Sequence, residues 1–271
     1  VAMIDAGGVA LHVERMPARH TPGGAPPPTV VFVHGMLVDS LVSYYFTLAP
    51  VFAAAGIDVI MYDLRGHGRS ERRADGYLLE DFVGDLDALL DRLEVAGPVH
   101  LVGNSYGGTI AFSYAARRPE RVASVSLIES EPATDAWSRK MAVNLARAGV
   151  EFARTDLHER LTEEHGAHAT RRVRSASRLL SSSTMARDIP ASRVLDEDEI
   201  RAVRAPVLAI YGSESELAAQ EPWLRSLLAH CRTVVVPDQE HWVLMGATRQ
   251  VSELVSEWVR AHDARVEAGS P

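Results

Sequence analysis

Short, continuously apolar runs alternate along the chain with segments whose apolar residues recur every three or four positions. The runs lie at 8–13, 29–33, 57–62, 99–103, 122–128, 206–211 and 233–236. A run apolar at consecutive positions buries both faces, which predicts strands of a parallel sheet covered on both sides. Helical spacing marks the segments between them. Phe82, Val83, Leu86, Leu89, Leu90 and Leu93 share one helical face, and Gly97-Pro98 ends that helix. Val251, Leu254, Val255, Trp258 and Val259 form a second stripe, over 247–262. Strands alternating with helices predict an open α/β architecture.

One stretch breaks the rhythm. Residues 132–204 hold no good strand and are rich in Arg, Glu, Ala and Ser. They read as several helices with a polar hinge at 181–184. An insertion this long between two sheet strands predicts a lid over the strand ends, where open α/β sheets place ligands. A peripheral extension is the alternative. The predicted division is a core of 1–131 and 205–271 and a helical cap of 132–204. A Pro/Gly loop follows Thr21, and the tail after His262 is expected to fray.

Composition narrows the function classes. The chain has 271 residues, 46% of them hydrophobic, and a formal net charge of −8. No basic stripe tracks a phosphate backbone, which argues against nucleic-acid binding. No apolar run approaches the roughly 20 residues that span a bilayer, and the N-terminal residues lack a secretory pattern, so the expectation is a cytoplasmic protein without a membrane partner. Cys231 is the lone cysteine, so no intrachain disulfide forms and thiolate metal sites are excluded by count. The 11 histidines include no metal-binding pair of recognised spacing, and no metal is expected. Lys140 is the sole lysine and reflects a bias toward arginine. Neither a dinucleotide fingerprint nor a P-loop occurs, so no cofactor is expected.

The sharpest chemical signal is Gly103-Asn104-Ser105-Tyr106-Gly107-Gly108, placed between a predicted strand and a predicted helix. Strand, G-x-S-x-G, helix holds a serine hydroxyl exposed at the top of a sheet. Three further motifs keep company with it: His34-Gly35-Met36, the run from Asp63 to Ser70 reading D-x-R-G-x-G-x-S, and Asp238-Gln239-Glu240-His241-Trp242 after the last strand. In this order the four motifs resemble those of the α/β-hydrolase fold, and the resemblance covers essentially the whole chain. It implies a serine hydrolase of ester-type bonds with a Ser, acid, His order.

A serine hydroxyl needs a base. His241 holds the family position. His34 and His67 belong to loop motifs, His12 and His100 to strands, and His158, His165 and His168 to the insertion. The acid departs from the family pattern. Its usual slot, three residues after Gly212, holds Ser215, flanked by Glu214 and Glu216. Glu129, at the end of the strand after the nucleophile strand, matches the displaced acid of some haloalkane dehalogenases of this fold. A carboxylate at the end of a buried apolar strand is costly without a partner. Glu129 is therefore the preferred acid, with Glu216 and Glu214 the alternatives, and Glu131 reads as an ordinary carboxylate at the entry to the insertion.

The resemblance implies an oxyanion hole from the backbone N–H groups of Met36 and Tyr106. Leu37, Trp137 and Trp242 are expected to line a pocket for a small hydrophobic substrate, whereas Phe46 reads as core. Serine at 105 argues against the aspartate-nucleophile dehalogenases and epoxide hydrolases. The pairs Gly103-Asn104-Ser105 and His241-Trp242 are similar to those of meta-cleavage-product hydrolases, so carbon–carbon cleavage is a second reading. A lyase or cyclase of the same fold, and a small-molecule receptor on a hydrolase scaffold, are others. Oligomeric state is not readable from these residues.

Overall fold

A computed structural model describes residues 2–19 and 26–263. Its strands are β1 (Ala2–Asp5), β2 (Ala10–Met16), β3 (Thr29–Val33), β4 (Asp58–Tyr62), β5 (Val99–Asn104), β6 (Val122–Ile128), β7 (Val207–Gly212) and β8 (Cys231–Val236). They form one sheet in the order β1-β2-β4-β3-β5-β6-β7-β8. β2 runs antiparallel to both of its neighbours, and every pairing from β4 to β8 is parallel. The helices are α1 (Val42–Tyr45), α2 (Leu48–Ala54), α3 (Leu79–Arg92), α4 (Tyr106–Arg117), α5 (Asp135–Phe152), α6 (Thr155–Ser182), α7 (Met185–Asp188), α8 (Glu197–Arg201), α9 (Glu221–Leu227), α10 (Val243–Gly246) and α11 (Thr248–Ala261).

Continuous apolar runs fill two cores at once, because successive strand side chains point to opposite faces. In β3, Val31 and Val33 pack with Phe82 and Leu86 of α3 and Ile110 of α4. Val30 and Phe32 pack on the other face with Phe52 of α2 and with Val251, Val255 and Val259 of α11. Each such side chain contributes about 1.5–3 kcal/mol on burial. No helix among the described residues is long and apolar enough to cross a membrane.

The sequence pattern missed β1. Its four residues are mostly exposed, and it is an edge strand joined to β2 by a turn in which Asp5 Oδ1 accepts from the Gly8 N–H at 2.7 Å. The expected strand at 8–13 begins later, at Ala10, and runs on to Met16. The Pro/Gly loop after Thr21 and the tail after His262 lie largely outside the described residues.

Between β6 and β7 the chain leaves the sheet for α5 to α8. Thr134 caps α5, its hydroxyl accepting from the Trp137 N–H at 3.3 Å. The expected hinge at 181–184 coincides with the end of α6 and the start of α7. A second break lies inside α6 at Gly166, where φ is 77°. The insertion is tied to the loops after β3 and β4 and to the start of α3 by Thr184 N–H to Ala74 O at 2.9 Å, Arg172 Nε to Val38 O at 2.6 Å and Leu79 N–H to Ser192 Oγ at 2.8 Å.

The loop after β4 braces the loop after β3. The Asp63 carboxylate accepts from the N–H of Leu41 and Arg69, each at 2.9 Å, and from His12 Nδ1 at 2.8 Å. Burial would raise this carboxyl; His34, these backbone donors and His12 outweigh it and hold it below its ordinary value. Arg65 grips Asp85 of α3 through Nε at 2.7 Å and Nη2 at 2.5 Å. His67 is buried; its Nδ1–H donates to Arg65 O at 2.8 Å, and its Nε2 accepts from the Leu37 N–H at 2.8 Å. An imidazole that accepts at Nε2 is neutral. Burial, with His34 nearby, pushes its pKa down to about 3.

The consequence is a pH dependence of stability. An unfolded histidine titrates near 6.5, so as pH falls the unfolded chain takes up this proton before the native state does. The His67 contribution is complete above about pH 6.5 and is lost progressively toward about pH 3, at up to about 1.4 kcal/mol per pH unit. Denaturant unfolding across this range should show stability rising with pH, and His67→Gln should flatten that slope while lowering stability at pH 7.

Candidate active site

Ser105 stands at the turn between β5 and α4 with φ 52° and ψ −125°, a conformation non-glycine residues avoid. Two other positive-φ residues border it, Leu37 at φ 65° and Glu129 at φ 49°. Strain of this kind costs about 1–3 kcal/mol per residue and persists only where surroundings over-determine it. Here the Ser105 N–H is fixed on Ile128 O at 2.8 Å, and the Glu129 N–H on Ile210 O at 2.9 Å. Gly107 is required by close approach: a Cβ there would run into the backbone oxygens of Val33 and His34.

His241 lies between Ser105 and Glu129. Its Nε2 lies 3.1 Å from Ser105 Oγ, and its Nδ1 lies 3.1 Å from Glu129 Oε2. The Glu129 side chain is fully buried, whereas that of His241 is about half exposed, at 52%. A buried carboxylate stays charged only when its oxygens are filled. Glu129 Oε1 accepts from the Gly212 N–H, and Oε2 accepts from Ser215 Oγ–H at 2.6 Å as well as facing His241. Ser215, in the slot where the sequence pattern led to the expectation of an acid, thus donates to the Glu129 carboxylate. Gly212 is the second glycine set by close approach, since a Cβ would meet the backbone of Gln239 in the histidine loop.

Glu214 and Glu216 make no bond to His241. Glu214 is exposed, and Glu216 Oε1 lies 3.9 Å from Lys140 Nζ. Met36 and Tyr106 border the same cavity as Ser105. Neither of their backbone N–H groups finds a protein acceptor among the described residues. That of Tyr106 is the first of α4, so it carries the positive end of the helix dipole. Leu37 is held by His67, which fixes the peptide that follows Met36.

The cavity has a volume of about 170 Å³, small beside the roughly 300–1,000 Å³ of drug-sized ligand sites. Met36, Leu37, Trp137, Met141, Leu145 and Leu217 give it an apolar wall. Trp137 of α5 is buried and stacks on the Tyr106 ring, with centroids 6.3 Å apart and planes 7° apart. The insertion therefore reaches the residue next to the nucleophile. No group of three or more His, Cys, Asp or Glu side chains among the described residues could hold a metal ion.

A model of the α/β-hydrolase fold family matches residues 28–248. The chain belongs to the α/β-hydrolase fold family. Within that family it is 28% identical over 261 residues to 2-(acetamidomethylene)succinate hydrolase of Mesorhizobium japonicum, covering 89% of this chain and 88% of that one. It is 34% identical over 116 residues to the dihydrolipoyllysine-residue acetyltransferase component of the acetoin cleaving system of Cupriavidus necator, a match that covers 43% of this chain and only 30% of that relative's length. The enol-lactonase of Burkholderia xenovorans superposes with a TM-score of 0.71 at 23% identity, over 96% of this chain and 100% of that one, a likeness of fold.

Two expectations for this hydrolase-fold chain need correction. Trp242 is not in the cavity wall; its side chain is largely solvent-exposed, because the chain turns into α10 and buries Val243 and Leu244 instead. Phe46 is exposed, not core: α1 is short, and Tyr44 takes the inward position. Sequence reasoning also gave no role to Ser215, Glu131, Lys140 or Asn144. Ser215 carried a signal, since a hydroxyl in the slot expected to hold an acid can serve a carboxylate displaced elsewhere. Ser215→Ala should remove a charge-assisted hydrogen bond from buried Glu129 and lower stability by about 1.5–3 kcal/mol, read by denaturant unfolding at pH 7.

Proposed function

We propose that this chain is a serine hydrolase that cleaves an ester or a related carbonyl bond of a small molecule through Ser105, His241 and Glu129. The observation that carries the reading is the continuous path from Ser105 Oγ through the His241 ring to a carboxylate with no exposure to solvent. In this mechanism His241 Nε2 takes the hydroxyl proton as Oγ attacks the carbonyl carbon. The Met36 and Tyr106 N–H groups receive the developing oxyanion, each donor of this kind contributing about 2.7–4 kcal/mol in comparable sites. The imidazolium is stabilised by Glu129 and returns the proton to the departing alcohol oxygen. Water then attacks the acyl-enzyme with His241 again as base, and Ser105 regains its proton. The names of the relatives, a hydrolase and an enol-lactonase among them, agree with chemistry at a carbonyl group.

The apolar wall favours a substrate with a hydrophobic portion. Carbon–carbon cleavage gains no support from the His241-Trp242 pair, because Trp242 lies outside the cavity. Treatment with a fluorophosphonate, followed by peptide mapping, tests the proposal. The expected result is an adduct on Ser105 that His241→Ala abolishes. Absence of the adduct, with a fluorescent analogue of the probe seen to enter the cavity, overturns the acyl-transfer reading in favour of a lyase or a receptor.

A further inference from the structure

The cavity of Ser105 also contains the chain's only lysine. On α5, Trp137, Lys140, Met141, Asn144 and Leu145 all line it, a spacing of three and four residues that turns one helical face to the substrate space. Lys140 Nζ pairs with the carboxylate of Glu131, which is 7% exposed and whose other oxygen accepts from Gln220 Nε2. The Glu131 backbone oxygen is held by Thr109 Oγ1 at 2.9 Å, and Thr109 lies one turn of α4 beyond the nucleophile. Glu216 Oε1, at 3.9 Å from Nζ, is too far for a hydrogen bond. An ammonium has three donors. Glu131 fills one, so donors remain for the cavity, and the exposed Asn144 amide one turn on has no protein partner among the described residues.

The charge count decides what those donors can take. The single positive charge of Lys140 is matched by Glu131, and Glu216 and Glu129 place two more carboxylates on the same cavity. A substrate carboxylate would be a further anion against an already balanced cation. An uncharged oxygen would accept a charge-assisted hydrogen bond without that repulsion. We propose, resting on the hydrolase reading above, that Lys140 and Asn144 form a specificity site for an uncharged oxygen acceptor, such as a hydroxyl, ether or amide carbonyl, on the non-reacting end of the substrate. Glu131 and Glu216 set the site against carboxylates.

The test is a matched series of p-nitrophenyl esters whose acyl chains end in methyl, methoxy, carboxylate or trimethylammonium, with kcat/KM measured for the native protein, Lys140→Met, Lys140→Arg and Glu131→Gln. The native protein should prefer methoxy over carboxylate by about tenfold or more. Lys140→Met should erase the advantage of methoxy over methyl, chiefly through KM, and Lys140→Arg should keep part of it. Glu131→Gln, which leaves the ammonium unmatched, should raise carboxylate relative to methoxy by about tenfold. A native preference for carboxylate or for trimethylammonium overturns the proposal, as does a ranking identical in all four proteins. If native Ser105 neither hydrolyses these esters nor takes a fluorophosphonate, the hydrolase reading has failed. The same end groups on non-hydrolysable ketones, ranked by calorimetry, then decide the specificity site by itself.

Discussion

A carboxylate with no solvent contact is the constraint around which this site is arranged. Glu129 lies where an unpartnered charge would cost several kcal/mol, so each of its oxygens must find donors. Those donors come from three separate stretches: the Gly212 N–H at the end of β7, the Ser215 hydroxyl in the following turn, and the His241 ring in the loop after β8. Satisfying the one charge therefore draws the ends of β6, β7 and β8 into register. His241 faces Glu129 through Nδ1 and Ser105 through Nε2, so the same ring links the buried carboxylate to the serine.

The loops on the other side of Ser105 are organised by the Asp63 carboxylate and two buried imidazoles. His34 and His67 each accept a backbone N–H at Nε2 and face a backbone oxygen at Nδ1. In this way His34 fixes Leu64 of the D-x-R-G-x-G-x-S loop, and His67 of that loop fixes the peptide between Met36 and Leu37. Positive φ at Leu37, Ser105 and Glu129 marks where the backbone is bent toward the reacting position. Packing of the two cores flanking the sheet holds that strain, and Trp137 from the insertion adds a contact directly on Tyr106.

Much of this was legible in the residues. The apolar runs located β2 to β8, most clearly β3 to β7, which are buried on both faces. The elbow and histidine loop were readable because their spacing is tied to strand ends. That Glu129 would be buried and partnered was legible for a physical reason, a carboxylate at the end of a buried strand needing donors. What escaped has equally physical causes. β1 is an exposed edge strand without an apolar run. The Gly166 break sits in a polar helix where periodicity carries little weight. Trp242 was misplaced because adjacency in sequence to His241 says nothing of side-chain direction, and the polar side of the cavity arises from residues at 131, 140, 144 and 216 that only the fold brings together.

The central claim, that Glu129 is the group that activates Ser105 through His241, is open to a measurement that needs no knowledge of the substrate. The rate at which a fluorophosphonate modifies Ser105 would be compared among Glu129→Gln, Glu214→Gln and Glu216→Gln. The account predicts a fall of about 10³-fold or more for Glu129→Gln, because an amide no longer stabilises the imidazolium, and less than about tenfold for the other two. A loss as large in Glu214→Gln or Glu216→Gln, with Glu129→Gln close to the native rate, would contradict it.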